Sequence, residues 1–267
     1  MPVHNVAHRG YSAIAPENTL PALAAAVLAG ATFVEFDVRT TADGVPMVIH
    51  DRTVDRTTDG RGAVWELTFD ELRALDAGSW FSPAYAETRV PLLGEVLDLL
   101  RPHAAPADVL TPEAAAAGVT APASPSASAG VELLLEIKPP ATLEQVKVIL
   151  GMVADRDLLA RTVVQSFDPQ VVALVREAAP DVRRGLLRLA FAEDTVPLAT
   201  ELDVVCCNPS VGDVLGDPGT VAQLSDAGVA IMPWTANDIA QWPGLVEAGV
   251  AGLITDRAGE LTGWTAR

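Results

Sequence analysis

The segment FVEFDVRTTADGVPMVIHD, residues 33–51, sets Glu35 and Asp37 two residues apart in an apolar strand and ends on His50 and Asp51. Strand side chains alternate with a period of two, so Glu35 and Asp37 project from one face. Two carboxylates among Phe33, Val34, Phe36 and Val38 are costly to bury unless they are paired or hold a cation. Glu136 ends a second apolar run, VELLLEI, and Lys138 follows two residues later on the same face. The plainer alternatives are a solvated acidic strand end and a surface Glu–Lys pair. Carboxylates at corresponding ends of different strands point to one hard divalent cation with oxygen ligands, Mg²⁺ or Ca²⁺. Zinc fits less well, because its sites favour several His or Cys ligands at recognisable spacings.

Of the four histidines, His4 is set aside as terminal. His8 stands in AHRG, where a strand ends and a glycine-opened loop begins, and His50 returns after a turn at Asp43-Gly44. A lone histidine is usually structural, but an imidazole with a pKa near 6.5 can give or take a proton at neutral pH, and two make an acid/base pair. Arg9, otherwise a surface cation, has the planar fork that suits phosphate oxygens. Asp51 reads equally as a turn or helix cap.

Eighteen basic residues against thirty-five acidic give a net charge of −17. That field argues against nucleic acid or an anionic membrane as the main partner. An anionic substrate therefore needs a locally positive site. A carboxylate-bound cation with Arg9, Lys138 and two histidines supplies one, and it suits a phosphodiester.

These residues need a scaffold that brings strand ends together. The chain has 267 residues, 49% hydrophobic and 20% charged, the profile of a globular protein. Short β-branched runs (VHNVAH, TFVEFDV with its extension VPMVIH, VELLLEI, TVVQSF, RRGLLRL, LDVVCC, VAIMPW, AGLIT) alternate with amphipathic or Ala-rich helical stretches. Eight such βα units predict a closed (β/α)₈ barrel, with an open doubly wound sheet as the runner-up. Residues 1–267 are expected to form a single barrel domain, interrupted by an insertion at 52–90 that carries Trp65, Phe69, Trp80, Phe81 and Tyr85 and folds over one rim. The Pro/Ser/Ala-rich stretch within 102–130 is expected to be a surface loop. Cys206 and Cys207, adjacent in one strand, face opposite ways and form no disulfide framework. With no leader pattern and no membrane-length apolar run, the expected location is the cytoplasm.

The ordered motifs AHRG, PENTLPAL, FVEFDVRTTADGVPMVIHD, DRTTDGRGAVWELTFDELRALDAG, VPLLGEVL, LLLEIKPP, VVQSFDP, PWTAN and GLITDR span essentially the whole chain. In this series the sequence resembles the glycerophosphodiester phosphodiesterases, a branch of the phospholipase-C-like phosphodiesterases built on a TIM barrel. The resemblance implies that His8 and His50 are catalytic and that Glu35, Asp37 and Glu136 bind the metal. It also implies that Arg9, Lys138 and Trp234 contact a small-molecule glycerophosphodiester. Its departures, MPWTAND and the loose stretch before LLLEIK, touch substrate fit and spare every catalytic position. Two competing readings are a phospholipase-C-like or sphingomyelinase-D-like enzyme acting on lipid phosphodiesters, and a catalytically silent barrel. A silent scaffold has no physical need for both histidines and all three carboxylates. The motifs leave open which histidine is the acid, and whether water or the substrate's own hydroxyl attacks.

Overall fold

The computed structural model describes residues 3–103 and 130–267. Eight parallel strands form the sheet: β1 (His4–Ala7), β2 (Phe33–Thr40), β4 (Glu132–Ile137), β5 (Thr162–Ser166), β6 (Arg183–Leu187), β7 (Cys206–Asn208), β8 (Ala230–Ile231) and β9 (Gly252–Thr255). The short β3 (Pro46–Val48) pairs antiparallel with the end of β2, which bears out the reading of VPMVIH as its extension. The lateral order is β8-β7-β6-β5-β4-β2-β1-β9. Its two ends meet through hydrogen bonds from Ala251 N to Ile231 O (2.8 Å) and from Ile254 N to Pro233 O (3.0 Å), so the ring closes as a (β/α)₈ barrel. The open sheet is thereby set aside.

The helices, in chain order, are α1 (Leu20–Leu28), α2 (Phe69–Ala74), α3 (Leu93–Leu100), α4 (Leu143–Ala154), α5 (Pro169–Ala178), α6 (Thr195–Glu201), α7 (Val211–Gly216), α8 (Pro218–Asp226), α9 (Trp242–Glu247) and α10 (Ala258–Thr265). The helix α4 shows why they form. The Thr142 hydroxyl accepts from Gln145 N while the Gln145 side chain accepts from Thr142 N, which satisfies two free donors at its start. Val146, Ile149, Leu150 and Val153 then fall on one face and are buried, each contributing on the order of 1.5–3 kcal/mol. None of the helices among the described residues is long and apolar enough to cross a membrane.

Strand parity sorts side chains into two cores. Val6, Phe33, Leu134, Val163, Cys206, Met232 and Ile254 fill the barrel interior. Their alternates, including Val34, Phe36, Leu133 and Leu135, pack outward against the helices. Cys206 points inward and Cys207 outward, as the alternation requires, and burial pushes both thiols up to about 12.

The insertion is held by its own small core of Met47, Ile49, Val54, Val64, Leu72, Ala77 and Val90. Its Trp80, Phe81 and Tyr85 stack edge-to-face in series, with ring centroids 5.7 Å apart at each step, and the Tyr85 hydroxyl donates to Ile14 O. These three rings pack on one another, and none of them lines the main cavity. The Pro/Ser/Ala-rich stretch, where the surface-loop expectation falls, lies at 104–129, outside the described residues.

His4, set aside in the sequence as terminal, is part of the core. It is 3% exposed within β1, with Phe33 edge-on at 5.2 Å, because its parity with Val6 turns it into the barrel floor. Burial lowers its pKa to about 4. Between pH 6.5 and 4 the unfolded chain therefore binds a proton that the folded chain excludes, and stability falls as pH drops through that window, by up to about 3 kcal/mol. Urea unfolding at pH 7 and pH 4.5 should show a steeper loss for the wild type than for His4→Gln. Equal slopes would contradict it.

Candidate active site

Register brings the carboxylates together. In the β2–β4 ladder Asp37 is the Cα partner of Glu136, and Glu35 lies one inward position below Asp37. Glu35, Asp37 and Glu136 are buried, with carboxylate oxygens all within 4.8 Å of one another. Lys138 Nζ stands 2.9 Å from Asp37 Oδ1 and 2.6 Å from Glu136 Oε1. The Arg9 main-chain N–H donates to Glu35 Oε2 (2.8 Å), and Arg9 Nε is 3.4 Å from Asp37 Oδ2. Asn18 donates Nδ2–H to Asp37 Oδ2 and accepts from Asp37 N.

The β1 loop must fold back tightly to aim that N–H. Arg9 and Gly10 both have positive φ, +55° and +83°, and a Cβ on Gly10 would come within 2.5 Å of the Ala22 backbone. Only glycine fits there, which explains the glycine of AHRG.

Burial acts against all three carboxylates. For Asp37 it is outweighed by Lys138 and then Arg9, which hold the carboxyl well below its usual range. Burial and then the charge of Asp37 raise Glu136 to about 8 and push Glu35 well above the ordinary carboxylate range. Lys138 stays charged: burial opposes its charge, but Asp37 and Glu136 prevail. One ammonium and one guanidinium therefore stand against three mutually close carboxyl groups. Their oxygens, buried and within 4.8 Å of one another, form an all-oxygen donor set that fits a hard divalent cation.

Each predicted histidine has an aspartate behind it. His8 Nδ1 lies 2.6 Å from Asp256 Oδ1, and His50 Nδ1 lies 2.7 Å from Asp51 Oδ1. A carboxylate only accepts, so each Nδ1 donates, and Nε2 is the nitrogen left for chemistry. Asp256 is itself fixed by Ser12 Oγ and Asn237 Nδ2. Burial opposes its charge, but the hydrogen bond from His8 and that imidazole's charge hold it at about 2. Burial, then Lys138 and Arg9 against the pull of Asp37, sets His50 below its usual 6.5. Arg39 from β2 donates Nε–H to His50 O, bracing the backbone of that arm.

Arg56, in the insertion, ties the two arms together. It donates to both oxygens of Asp51 (2.6 and 3.0 Å) and to both oxygens of Glu17 (2.7 Å each). Glu17 in turn accepts from Arg9 Nη1 at 2.8 Å. The sequence reading passed over Asp256, Asn18, Glu17 and Arg56. The motifs GLITDR, PENT and DRTTDG contained them, but spacing gave no sign of partners so distant in the chain. Asp51, for which a cap is an equal reading in the sequence, is the partner of His50.

A cavity of about 700 Å³ opens above this floor, lined by His8, Arg9, Glu35, His50, Glu136, Lys138 and Trp234 among others. Asp37 alone of the predicted set lies beneath the lining, under Lys138. Trp234 is held by Nε1 donation to Asn208 O (2.9 Å) and by Phe167 edge-on at 5.3 Å.

A closed parallel barrel with an acidic cluster, paired cations and two aspartate-backed histidines at the carboxyl ends of its strands defines the chain as a barrel enzyme of the phosphodiesterase class. The sequence profile of the Glycerophosphoryl diester phosphodiesterase family matches residues 8–260, and the chain belongs to that family. A glycerophosphodiester phosphodiesterase of Caldanaerobacter subterraneus is 30% identical over 251 residues, covering 94% of this chain and 93% of the relative. A solved phosphodiesterase from Oleispira antarctica, in complex with the product sn-glycerol-3-phosphate, superposes with a TM-score of 0.84 at 25% identity, over 99% of this chain and 97% of that one. A glycerophosphodiester phosphodiesterase from Agrobacterium tumefaciens gives 0.78 at 26% identity, over 98% and 100%.

The raised carboxyls make a testable link between protons and metal. A cation must displace the proton on Glu136, raised to about 8, and competes in the same direction at Glu35, which burial and Asp37 also raise, so affinity rises with pH. Calorimetric titration with Mg²⁺ or Ca²⁺ at about pH 6 and pH 8 should show tighter binding at the higher pH, with proton release in the lower-pH buffer. Affinity that does not change across this range would count against the cluster as the metal site.

Proposed function

We propose that the chain, acting as one barrel domain over residues 1–267 with its insertion at 52–90, is a metal-dependent glycerophosphodiester phosphodiesterase. It hydrolyses glycerophosphodiesters to sn-glycerol 3-phosphate and the free alcohol. One observation carries the reading: two histidines, each fixed through Nδ1 by its own aspartate, stand over one buried carboxylate cluster in one cavity. Family membership and the product held by the Oleispira antarctica relative support the same substrate class.

Glu35, Asp37 and Glu136 would hold one cation, Mg²⁺ or Ca²⁺, which when bound would supply positive charge for the non-bridging phosphate oxygens. Arg9 and Lys138 add charge-assisted donors to the same oxygens. Of His8 and His50, one takes the proton from the attacking oxygen and the other returns a proton to the leaving alkoxide as the P–O bond breaks. The lowered pKa of His50 keeps it neutral at pH 7, the form that accepts a proton. Trp234, fixed by Asn208, offers the glycerol carbons a flat apolar wall.

The aspartates position the imidazoles and touch no substrate. Asp256→Asn and Asp51→Asn should each lower kcat on the order of 10²-fold, with KM and metal affinity nearly unchanged, because the tautomer loses its anchor. The wild-type rate should fall on the acid side, at a pH under the ordinary imidazole value, as the neutral His50 is protonated. Both asparagine variants turning over at wild-type rates would remove the histidines from proton transfer.

Product analysis tests the reaction itself. Glycerophosphocholine and glycerophosphoethanolamine should yield sn-glycerol 3-phosphate and the free base only with divalent ion present. Diacyl phosphatidylcholine vesicles should be poor substrates. Preference for the vesicles, or release of choline phosphate, would transfer the chain to another branch of the superfamily.

A further inference from the structure

Two guanidinium groups at the cavity mouth make no ion pair with the carboxyl groups below. Arg39 of β2 gives Nε–H to His50 O (2.8 Å) and Nη1–H to Pro139 O (3.3 Å), both backbone carbonyls. Arg52, at the start of the insertion, is exposed and lies over the Trp65 ring, 5.5 Å from its centroid. Both line the cavity of about 700 Å³. Among the described residues neither forms an ion pair with a carboxylate, whereas Arg9, Arg56 and Lys138 all do. In a chain with a net charge of −17, two neighbouring guanidinium groups that share one cavity lining give that mouth a locally positive face. The two charges are near enough to oppose each other, although Asp37, Glu136 and Asp51 attract Arg39 from below.

The geometry leaves donors for a ligand. With Nε and Nη1 held by carbonyls, Nη2 of Arg39 has no protein acceptor among the described residues, and the indole of Trp65 holds Arg52 by a cation–π contact. Planar forks of this kind match phosphate oxygens. The cavity volume falls in the range of about 300–1,000 Å³ that encloses drug-sized ligands, so it has room beyond a bare glycerophosphate. Beyond the acidic cluster on the floor, the carboxylate in the lining is Asp168. It sits after β5 on another part of the ring and already accepts from Gln170 N.

We infer that Arg39 and Arg52 form a second anion subsite, which favours glycerophosphodiesters whose alcohol carries a phosphate of its own. The inference rests on the phosphodiesterase reading, with the scissile phosphate at the carboxylate cluster and the second phosphate toward the insertion. The subsite adds a charge-assisted contact to one class of alcohol and leaves the reacting centre unchanged.

The test compares kcat/KM for glycerophosphoinositol 4-phosphate with that for glycerophosphoinositol, at low salt and with saturating metal. The wild-type ratio should be about tenfold, the gain from one charge-assisted hydrogen bond, and should shrink with added sodium chloride. Arg52→Gln should bring the ratio near one, and Arg52→Glu should take it below one. Arg39 is left intact because it also braces His50. A wild-type ratio of one or less, or a preference that survives Arg52→Glu, overturns the subsite. If glycerophosphocholine is hydrolysed while the ratio is flat, only this inference falls. If no glycerophosphodiester is hydrolysed with metal present, the phosphodiesterase reading itself falls.

Discussion

Three carboxylates buried within 4.8 Å of one another set the terms for everything around them. Isolated charges of this kind would cost several kcal/mol each to bury, so the site is built from what offsets them. Lys138 directly follows the strand that carries Glu136 and touches two of the three; Asn18 satisfies Asp37, and the Arg9 amide reaches Glu35. The positive φ at Arg9 and Gly10 belongs to the same requirement, since a loop of ordinary backbone would not turn that amide toward Glu35. Lys138 and Arg9 together give the cluster counter-charges that come from the chain itself.

The insertion has a part in this. Through Arg56 it grips Asp51 and Glu17 at once, and so links the His50 arm to the loop that carries Arg9 and adjoins His8. The arms that carry His8 and His50 are thereby tied by a bidentate bridge between elements that are separate in sequence. Its aromatics serve this indirectly, by packing among themselves and anchoring to Ile14, which leaves the cavity wall to Phe167 and Trp234.

What depended on local periodicity was legible in the sequence. The eight strands, the β3 extension, and the shared face of Glu35 and Asp37 and of Glu136 and Lys138 all follow from alternation with a period of two. The site residues named from motif order do gather at one mouth. What depended on contacts across the chain was not legible: His8 and Asp256 are 248 residues apart, and Arg56 meets Glu17 across 39. His4 misled for another reason. Nearness to the chain start suggested exposure, yet its parity with Val6, visible in VHNVAH, already placed it inside.

Parity also governs how such a chain tolerates change. His8, Glu35, Asp37, Glu136, Lys138 and Trp234 each share the inward register of the interior residues below them, Val6, Phe33, Leu134 and Met232. A strand segment therefore behaves like a reading frame. Adding or deleting one residue below any of these positions would turn every later side chain of that strand through the barrel wall, moving carboxylates against the helices and leucines into the mouth. Loops at the rim have no such frame. Lineages derived from this barrel are free to lengthen or shorten what lies between strands, while length changes inside the strands can survive only in pairs.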